Sequence, residues 1–194
     1  MAHPARLLNS FLVLLILLQS CSRPHKAVIM PVFNSATTNV RMKNGVAMTE
    51  NTRFTGIVYT MFPNSKDTAE IVAFNNGREH GQWKRFYPNG KLMETRHFEN
   101  GQKTGVYNAW WPNGVQKLAY NFTDGEYNGV CREWNDKHVL IKEMHYKNGY
   151  EEGSQKEFYN DGKVKANYMM IAGRRYGLLG TKNCVNVTDS IFKN

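Results

Sequence analysis

Glycine recurs at Gly81, Gly105, Gly129, Gly153 and Gly177, each 24 residues after the last, and Gly56 precedes Gly81 by 25. A fixed period of this length is read before anything else, because stacked copies of one small unit dictate the architecture. Five blocks align: "GIVYTMFPNSKDTAEIVAFNNGREH", "GQWKRFYPNGKLMETRHFENGQKT", "GVYNAWWPNGVQKLAYNFTDGEYN", "GVCREWNDKHVLIKEMHYKNGYEE" and "GSQKEFYNDGKVKANYMMIAGRRY". Each block divides at two turn signals. Pro88-Asn89-Gly90 and Pro112-Asn113-Gly114 follow an aromatic-rich run, where proline presets one turn position and Asn-Gly tolerates the left-handed conformation. Asn76-Gly77, Asn100-Gly101, Asp124-Gly125 and Asn148-Gly149 then end a second run. Two turns per block leave about 7 or 8 residues for each strand, within the usual range. The pattern predicts an all-β protein: a single-layer antiparallel meander of repeated β-hairpins, about ten strands in number, with a C-terminal cap.

These blocks resemble MORN repeats (membrane occupation and recognition nexus), in the variant common among bacterial exported proteins. That variant reads as glycine, two or three residues, an aromatic pair, asparagine-glycine, and a second asparagine-glycine before the next block. The resemblance runs from Gly56 to about Gly180 and implies a repeat sheet used for interaction rather than catalysis. Block four departs from it, with "NDKHV" in place of "PNGKL", which predicts a looser turn there. Some relatives carry an antitoxin label of the YwqK type, which an exported lipoprotein fits poorly.

The N-terminus reads as an export signal over residues 1–20. Arg6 precedes an apolar run from Phe11 to Leu18, long enough for a signal-peptide core and too short to span a bilayer comfortably. The run ends in Leu18-Gln19-Ser20-Cys21, which resembles the lipobox of bacterial lipoproteins. The resemblance implies cleavage before Cys21 and lipidation of that cysteine, although Gln19 stands where Ala or Ser is commoner. The other reading is an ordinary cleaved signal peptide. Several acyl chains, at about 0.8 kcal/mol per buried methylene, hold a protein to a membrane almost permanently. Residues 21–53 are polar, with Pro24, Pro31 and an "NSATTN" patch, and are expected to form a mostly irregular tether. The repeat domain is expected over 54–180, in blocks starting near 56, 81, 105, 129 and 153, with the cap or tail over 181–194.

Two aromatic stripes follow from the period. Met61, Phe86, Trp110, Trp134 and Phe158 lie five residues after each starting glycine and are assigned to the core. Phe62, Tyr87, Trp111 and Tyr159 come one residue later, with Asn135 in block four, and alternation sends them to the other face. They serve either as cross-strand packing on a half-exposed face or as an extended binding groove. In the second strands Phe98, Phe122, Tyr146 and Met170 recur, with Tyr120, Met144 and Tyr168 beside them.

No catalytic or metal-binding constellation is legible. His97 and His145 share a repeat position but lie two repeats apart, about 19 Å across four strand spacings. His80 and His138 read as turn residues. Glu94, Glu133, Glu143 and Glu157 can be paired on paper, yet a repeat sheet spaces polar residues this way without catalysis. No cofactor and no nucleic-acid partner are expected. Cys131 and Cys184 fall four strand spacings apart, too far for a disulfide, so Cys131 is expected as an at least half-buried free thiol and Cys184 as a free thiol near the cap. With 25 Lys and Arg against 16 Asp and Glu, the charge suits anionic surfaces. Two functions remain. One is a non-catalytic scaffold, lipid-anchored on the periplasmic or outer face of a bacterial envelope membrane, displaying its sheet to an envelope protein or anionic envelope component. The other is direct binding of anionic lipid or polysaccharide through basic residues beside the aromatic stripe.

Overall fold

In a computed structural model that describes residues 30–179, the repeats form one 15-stranded sheet, with a three-stranded sheet at its N-terminal end. In chain order the strands are β1 (Val32–Asn34), β2 (Val40–Lys43), β3 (Val46–Thr49), β4 (Thr52–Arg53), β5 (Gly56–Met61), β6 (Thr68–Asn75), β7 (Arg78–Glu79), β8 (Gly81–Phe86) and β9 (Leu92–Glu99). They continue as β10 (Gln102–Lys103), β11 (Gly105–Trp110), β12 (Gln116–Thr123), β13 (Glu126–Tyr127), β14 (Gly129–Trp134), β15 (Leu140–Lys147), β16 (Tyr150–Phe158), β17 (Val164–Ile171) and β18 (Arg174–Leu178). No helix occurs among the described residues. The repeat sheet is a meander, as the turn spacing predicts, but it has more strands than the expected ten or so. The surplus comes from the two-residue arms β7, β10 and β13, which pair back onto the preceding long strand before the next block begins, and from β1 and β18 at the two ends of the sheet.

The turn chemistry explains that path. Asn76-Gly77, Asn100-Gly101, Asp124-Gly125 and Asn148-Gly149 all have positive φ at both residues, 50° to 52° followed by 79° to 86°. That is the geometry whose twist matches a β-hairpin. The first turn of each block instead closes through a short backbone ladder: Tyr87 N–H donates to Lys91 O at 2.8 Å and Gly90 N–H to Tyr87 O at 2.9 Å. The looser turn expected in block four does not occur. Asn135 N–H donates to Val139 O and His138 N–H to Asn135 O, each at 3.0 Å. His138 takes the left-handed position, at φ 62°, that glycine fills in blocks two, three and five. An L side chain in that conformation costs about 1–2 kcal/mol. His138→Gly is therefore expected to stabilise the protein by about 1 kcal/mol in a denaturant melt.

Every first hairpin also carries a β-bulge, at Thr60/Met61, Arg85/Phe86, Ala109/Trp110, Glu133/Trp134 and Glu157/Phe158. The extra residues are Ala69, Met93, Lys117, Ile141 and Lys165, and a bulge re-aims the side chains around it. Below the bulges, each starting glycine pairs with a large side chain: Gly56 with Phe74, Gly81 with Phe98, Gly105 with Phe122, Gly129 with Tyr146 and Gly153 with Met170. Every one of these glycines has positive φ, from 66° to 155°, a backbone conformation that a side chain strains to adopt, which accounts for the 24-residue period.

The buried face differs from the one expected. Met61, Phe86, Trp110, Trp134 and Phe158, assigned to the core from sequence, are only half-buried. Each is the first paired residue past a register shift, where the strands splay at the turn. Burial is deepest on the second-strand stripe, at Phe98, Phe122, Met144 and Tyr168, joined by Ala109, Cys131 and Ala166. A single sheet buries these because long amphipathic neighbours lie across short side chains. Tyr120, Tyr127 and Tyr146 shelter Cys131 and Met144 in this way, around a pocket of about 210 Å³. Cys131 is 3% exposed, and burial pushes its thiol pKa up, so it stays protonated and packs as a small apolar group. Cys184 lies outside the described residues.

The tether expected over 21–53 is folded where it is described. β1 pairs in parallel with β5, while β2, β3 and β4 form the separate sheet. Ala47 and Phe54 are buried against Phe74, with Phe33, Val40, Val58 and Val72 packed around them. The hydrogen bonding shows why the segment folds here. Gly101 N–H donates to Glu79 O, Gly125 N–H to Lys103 O and Gly149 N–H to Tyr127 O, so each turn leans on the preceding arm. The first block has no preceding arm. Phe54 takes that role, accepting from Gly77 N–H at 2.7 Å, while Ala47 N–H donates to Gly77 O at 2.8 Å. The segment is thus an N-terminal cap, of the kind that terminal repeats require. At the far end β18 pairs with β17, and the cap expected over 181–194 lies outside the described residues.

Candidate functional site

The residues singled out as a binding stripe, Phe62, Tyr87, Trp111 and Tyr159, sit where the first strands enter their turns. Phe62, Tyr87 and Trp111 are half-buried, and Tyr159 is 54% exposed. Two of them are stitched to the next repeat. Tyr87 Oη donates to Trp110 O at 2.8 Å, and Trp111 Nε1 donates to Trp134 O at 3.0 Å. A second ladder runs beside it: Lys91 Nζ donates to Asn113 O at 3.0 Å and Asn113 Nδ2 to Asp136 O at 2.8 Å. Packing and display are therefore both served here. The polar atoms of Tyr87 and Trp111 hold repeats together, and that fixes the rings they carry.

The stripe breaks at Asn135. Between Trp111 and Tyr159 this leaves an open depression of about 530 Å³, lined by Trp111, Pro112, Asn113, Asn135, Asp136, Ile141 and Asn160. A second hollow of about 480 Å³ adjoins it, sharing Ile141 and Asn160 and adding Tyr159, Lys142, Lys165 and two glutamates. The bulges help to build both, since the extra residues Ile141 and Lys165 line them. Lys117, another extra residue, places its ammonium 4.5 Å from the Trp111 ring centroid. Sequence reasoning does not reach Asn135, Asp136, Ile141, Asn160 or Lys165 as site residues. The available signal is the "NDKHV" departure in block four, which marks where the aromatic row is interrupted.

Two lysines at this edge are matched by carboxylates, while Lys117 and Lys137 have no ion pair among the described residues. Lys142 Nζ lies 3.6 Å from Glu133, and Lys165 Nζ lies 2.9 Å from Glu157. Glu133 also accepts the Tyr120 hydroxyl. Burial, then that hydrogen bond, drive the Tyr120 pKa far up. Tyr146 is pushed up to about 12, mainly by burial. These phenols stay neutral donors at any ordinary pH. The other carboxylates weighed as catalytic candidates are likewise partnered: Glu94 by Arg85 and Arg96, and Glu143 by Arg132 at 2.8 Å. Among the described residues no group of three His, Cys, Asp or Glu side chains is placed to hold a metal ion. Cys21, the lipidation candidate, lies outside the described residues.

One sheet of glycine-phased hairpins, with aromatic turn edges and a folded N-terminal cap, defines a β-repeat protein. A family model described as a MORN repeat variant matches residues 79–100 and 151–168, and the chain carries MORN repeats. No curated protein matches it. Among solved structures, TarM is similar at 17% identity over 58% of this chain and 21% of that chain, with a TM-score of 0.32. A mutant of S. aureus TarM in complex with fondaparinux, alpha-GlcNAc-glycerol and UDP matches at 15% identity over 50% of this chain and 20% of that one, again with a TM-score of 0.32. The chain spans about a fifth of the length of these solved chains.

Proposed function

We propose that this chain is a non-catalytic, membrane-anchored MORN-repeat lipoprotein that acts as an interaction scaffold at the bacterial cell envelope. The observation that carries the reading is the turn edge. Aromatic rings there are locked by hydrogen bonds between repeats, and they border an open hollow without a partner in the fold. A surface fixed before its partner arrives loses little conformational entropy on binding. The anchor rests on "LLQSC" after an apolar core. The alternative, direct binding of anionic lipid or polysaccharide through basic residues beside the stripe, would rest on Lys117 and Lys137, because Lys142 and Lys165 are paired with carboxylates.

Two measurements test the proposal. Cys21→Ala should release the protein from membranes or leave an unprocessed precursor; normal processing with unchanged fractionation removes the anchor. A photo-crosslinker at position 112, beside Trp111, should capture an envelope component in intact cells. A polyanion contact weakens steeply with ionic strength, so capture that survives high salt supports the scaffold and capture that disappears supports the alternative.

A further inference from the structure

We propose that the outer edge of β18 is a docking site for a second copy of this chain, joined to it by antiparallel edge-to-edge pairing. This surface is separate from the turn edge, and a failure here would leave the scaffold proposal standing.

The repeat leaves that edge incomplete. In the earlier blocks the second residue of each arm accepts from the next turn, as Glu79 O does from Gly101 N–H, Lys103 O from Gly125 N–H and Tyr127 O from Gly149 N–H. The starting glycine two residues on then pairs with a second strand, as Gly105 does with Phe122. Arg175 and Gly177 hold these two places at the end of the sheet. There β18 has β17 on one side and, among the described residues, no strand on the other. Their backbone groups face outward. Ala172 and Gly173 form a two-residue turn with φ 49° and 75°, so Ile171 and Arg174 make the hydrogen-bonded pair beside it. Alternation turns the backbone groups of Arg174, Tyr176 and Leu178 toward β17, and leaves those of Arg175 and Gly177 for another strand.

The side chains beside this edge are apolar. Met169, Ile171, Tyr176 and Leu178 share one face, and each is between 43% and 53% exposed. An open edge flanked by exposed apolar side chains is an aggregation hazard unless something covers it. The opposite end of the sheet is blunted. Its edge strand, β1, has three residues and sits beside the folded cap, and short edge strands template poorly. Head-to-tail chaining is thereby disfavoured, and two C-terminal ends that meet about a two-fold axis close the assembly at two.

The edge is self-complementary in one register. A two-fold axis through Arg175 sets arginine opposite arginine, which is destabilising, and one through Gly177 opposes two residues without side chains. An axis through Tyr176 pairs Arg175 with Gly177 of the second copy, and each such pair exchanges two backbone hydrogen bonds. The long arginine then lies across a bare glycine. Its charge is held within its own copy, by Glu151 at 3.7 Å and by the Tyr168 ring, whose centroid is 5.2 Å away. On the other face the two Tyr176 rings meet at the axis, with Met169 behind each of them. Leu178 falls opposite Arg174 of the second copy. A strand of five residues on each side makes a small interface, below about 1,200 Å² in total, so the dimer is weak and its population rises with concentration.

Two measurements on the full chain test the pairing. The first is disulfide trapping in intact cells, in a Cys184→Ser background. Tyr176→Cys should cross-link to itself, since a non-hydrogen-bonded antiparallel pair has Cα atoms about 4.5 Å apart, within disulfide reach. Leu178→Cys alone should not, because the two copies of that residue lie four positions apart along the strand, about 13 Å. Leu178→Cys co-expressed with Arg174→Cys should cross-link, as those positions face each other. The second measurement is hydrogen exchange of the detergent-solubilised chain. Protection of the Arg175 and Gly177 amides should rise as the protein concentration is raised. Tyr176→Asp should abolish that rise and leave the melting curve unchanged, because this side chain is exposed at the edge. Failure of Tyr176→Cys to cross-link, self-linking of Leu178→Cys, or a rise that survives Tyr176→Asp overturns the proposal. Protection that does not depend on concentration also overturns it, and shows that the chain covers its own edge. Amides that stay unprotected at every concentration overturn it as well, with the edge left unpaired.

Discussion

Replacing Gly77 by valine is expected to destabilise the protein by about 2–6 kcal/mol, more than the same change at any exposed turn glycine. Two costs add. Gly77 has φ +79°, where a side chain brings strain of about 1–3 kcal/mol. Its Cβ would also collide with Val46 Cγ1, lie 2.9 Å from Ala47 O and press on Arg53, so overpacking contributes a further 1–3 kcal/mol or so. Gly90 separates the two terms. It has φ +78°, and a Cβ added there would meet nothing within 4 Å, so Gly90→Ala should show the conformational cost alone, about 1–2 kcal/mol. Denaturant melts of both variants check this. Equal losses would mean that the N-terminal sheet does not bear on the first repeat, and that residues 40–53 are not its cap. Selective proteolysis of that sheet in Gly77→Val, with the later repeats intact, is the expected accompanying result.

The period is legible because it is chemical: a starting glycine held at positive φ, and Asn-Gly where both turn residues need positive φ. Those two requirements recur every 24 residues and leave an unmistakable imprint. The N-terminal cap is not legible, since it borrows the role of a repeat arm through two backbone hydrogen bonds at Gly77, and backbone bonding leaves little mark on composition. Strict alternation along each strand assigns Trp110 and its equivalents to the core. The bulge beside each of them breaks the alternation, and a bulge of one extra residue is nearly silent in sequence. His138 is the reverse case, a residue that argues against a tight turn and yet occupies one, because the flanking Asn135 supplies the side-chain acceptor that closes it. At the candidate site the aromatic rims are readable as a stripe. The hollow between them is not, because it arises from what Asn135 lacks.

The buried charge cluster around Glu94 gives the second large effect. Glu94 is 6% exposed, and it faces three donors: Tyr107 Oη at 2.6 Å, Arg96 at 3.0 Å and Arg85 at 3.3 Å. The Arg96 guanidinium lies 4.2 Å from the Trp83 ring centroid and 4.8 Å from that of Tyr107, so it is stacked between two aromatic rings. Removing the carboxylate leaves that cation without its partner in a site with little access to water. Glu94→Ala should therefore cost about 3–5 kcal/mol. Glu94→Gln keeps the shape and an acceptor for Tyr107, and should cost less, about 1–3 kcal/mol. The pH dependence identifies the charge as the cause. Burial by itself raises the Glu94 pKa, but the Tyr107 hydroxyl and the two arginines outweigh it, and the carboxyl titrates below its ordinary range. A depressed native pKa means that the unfolded chain binds the proton more readily. The stabilisation is then complete above the unfolded value, about 4.3, and is lost as pH falls through the native value. In Glu94→Gln this part of the acid-side decline should be missing, so the gap between variant and wild type narrows as the solution is acidified. A gap that stays constant from neutral pH to about pH 3 would show that Glu94 contributes through shape and hydrogen bonding, and that the stacked Arg96 does not depend on its charge.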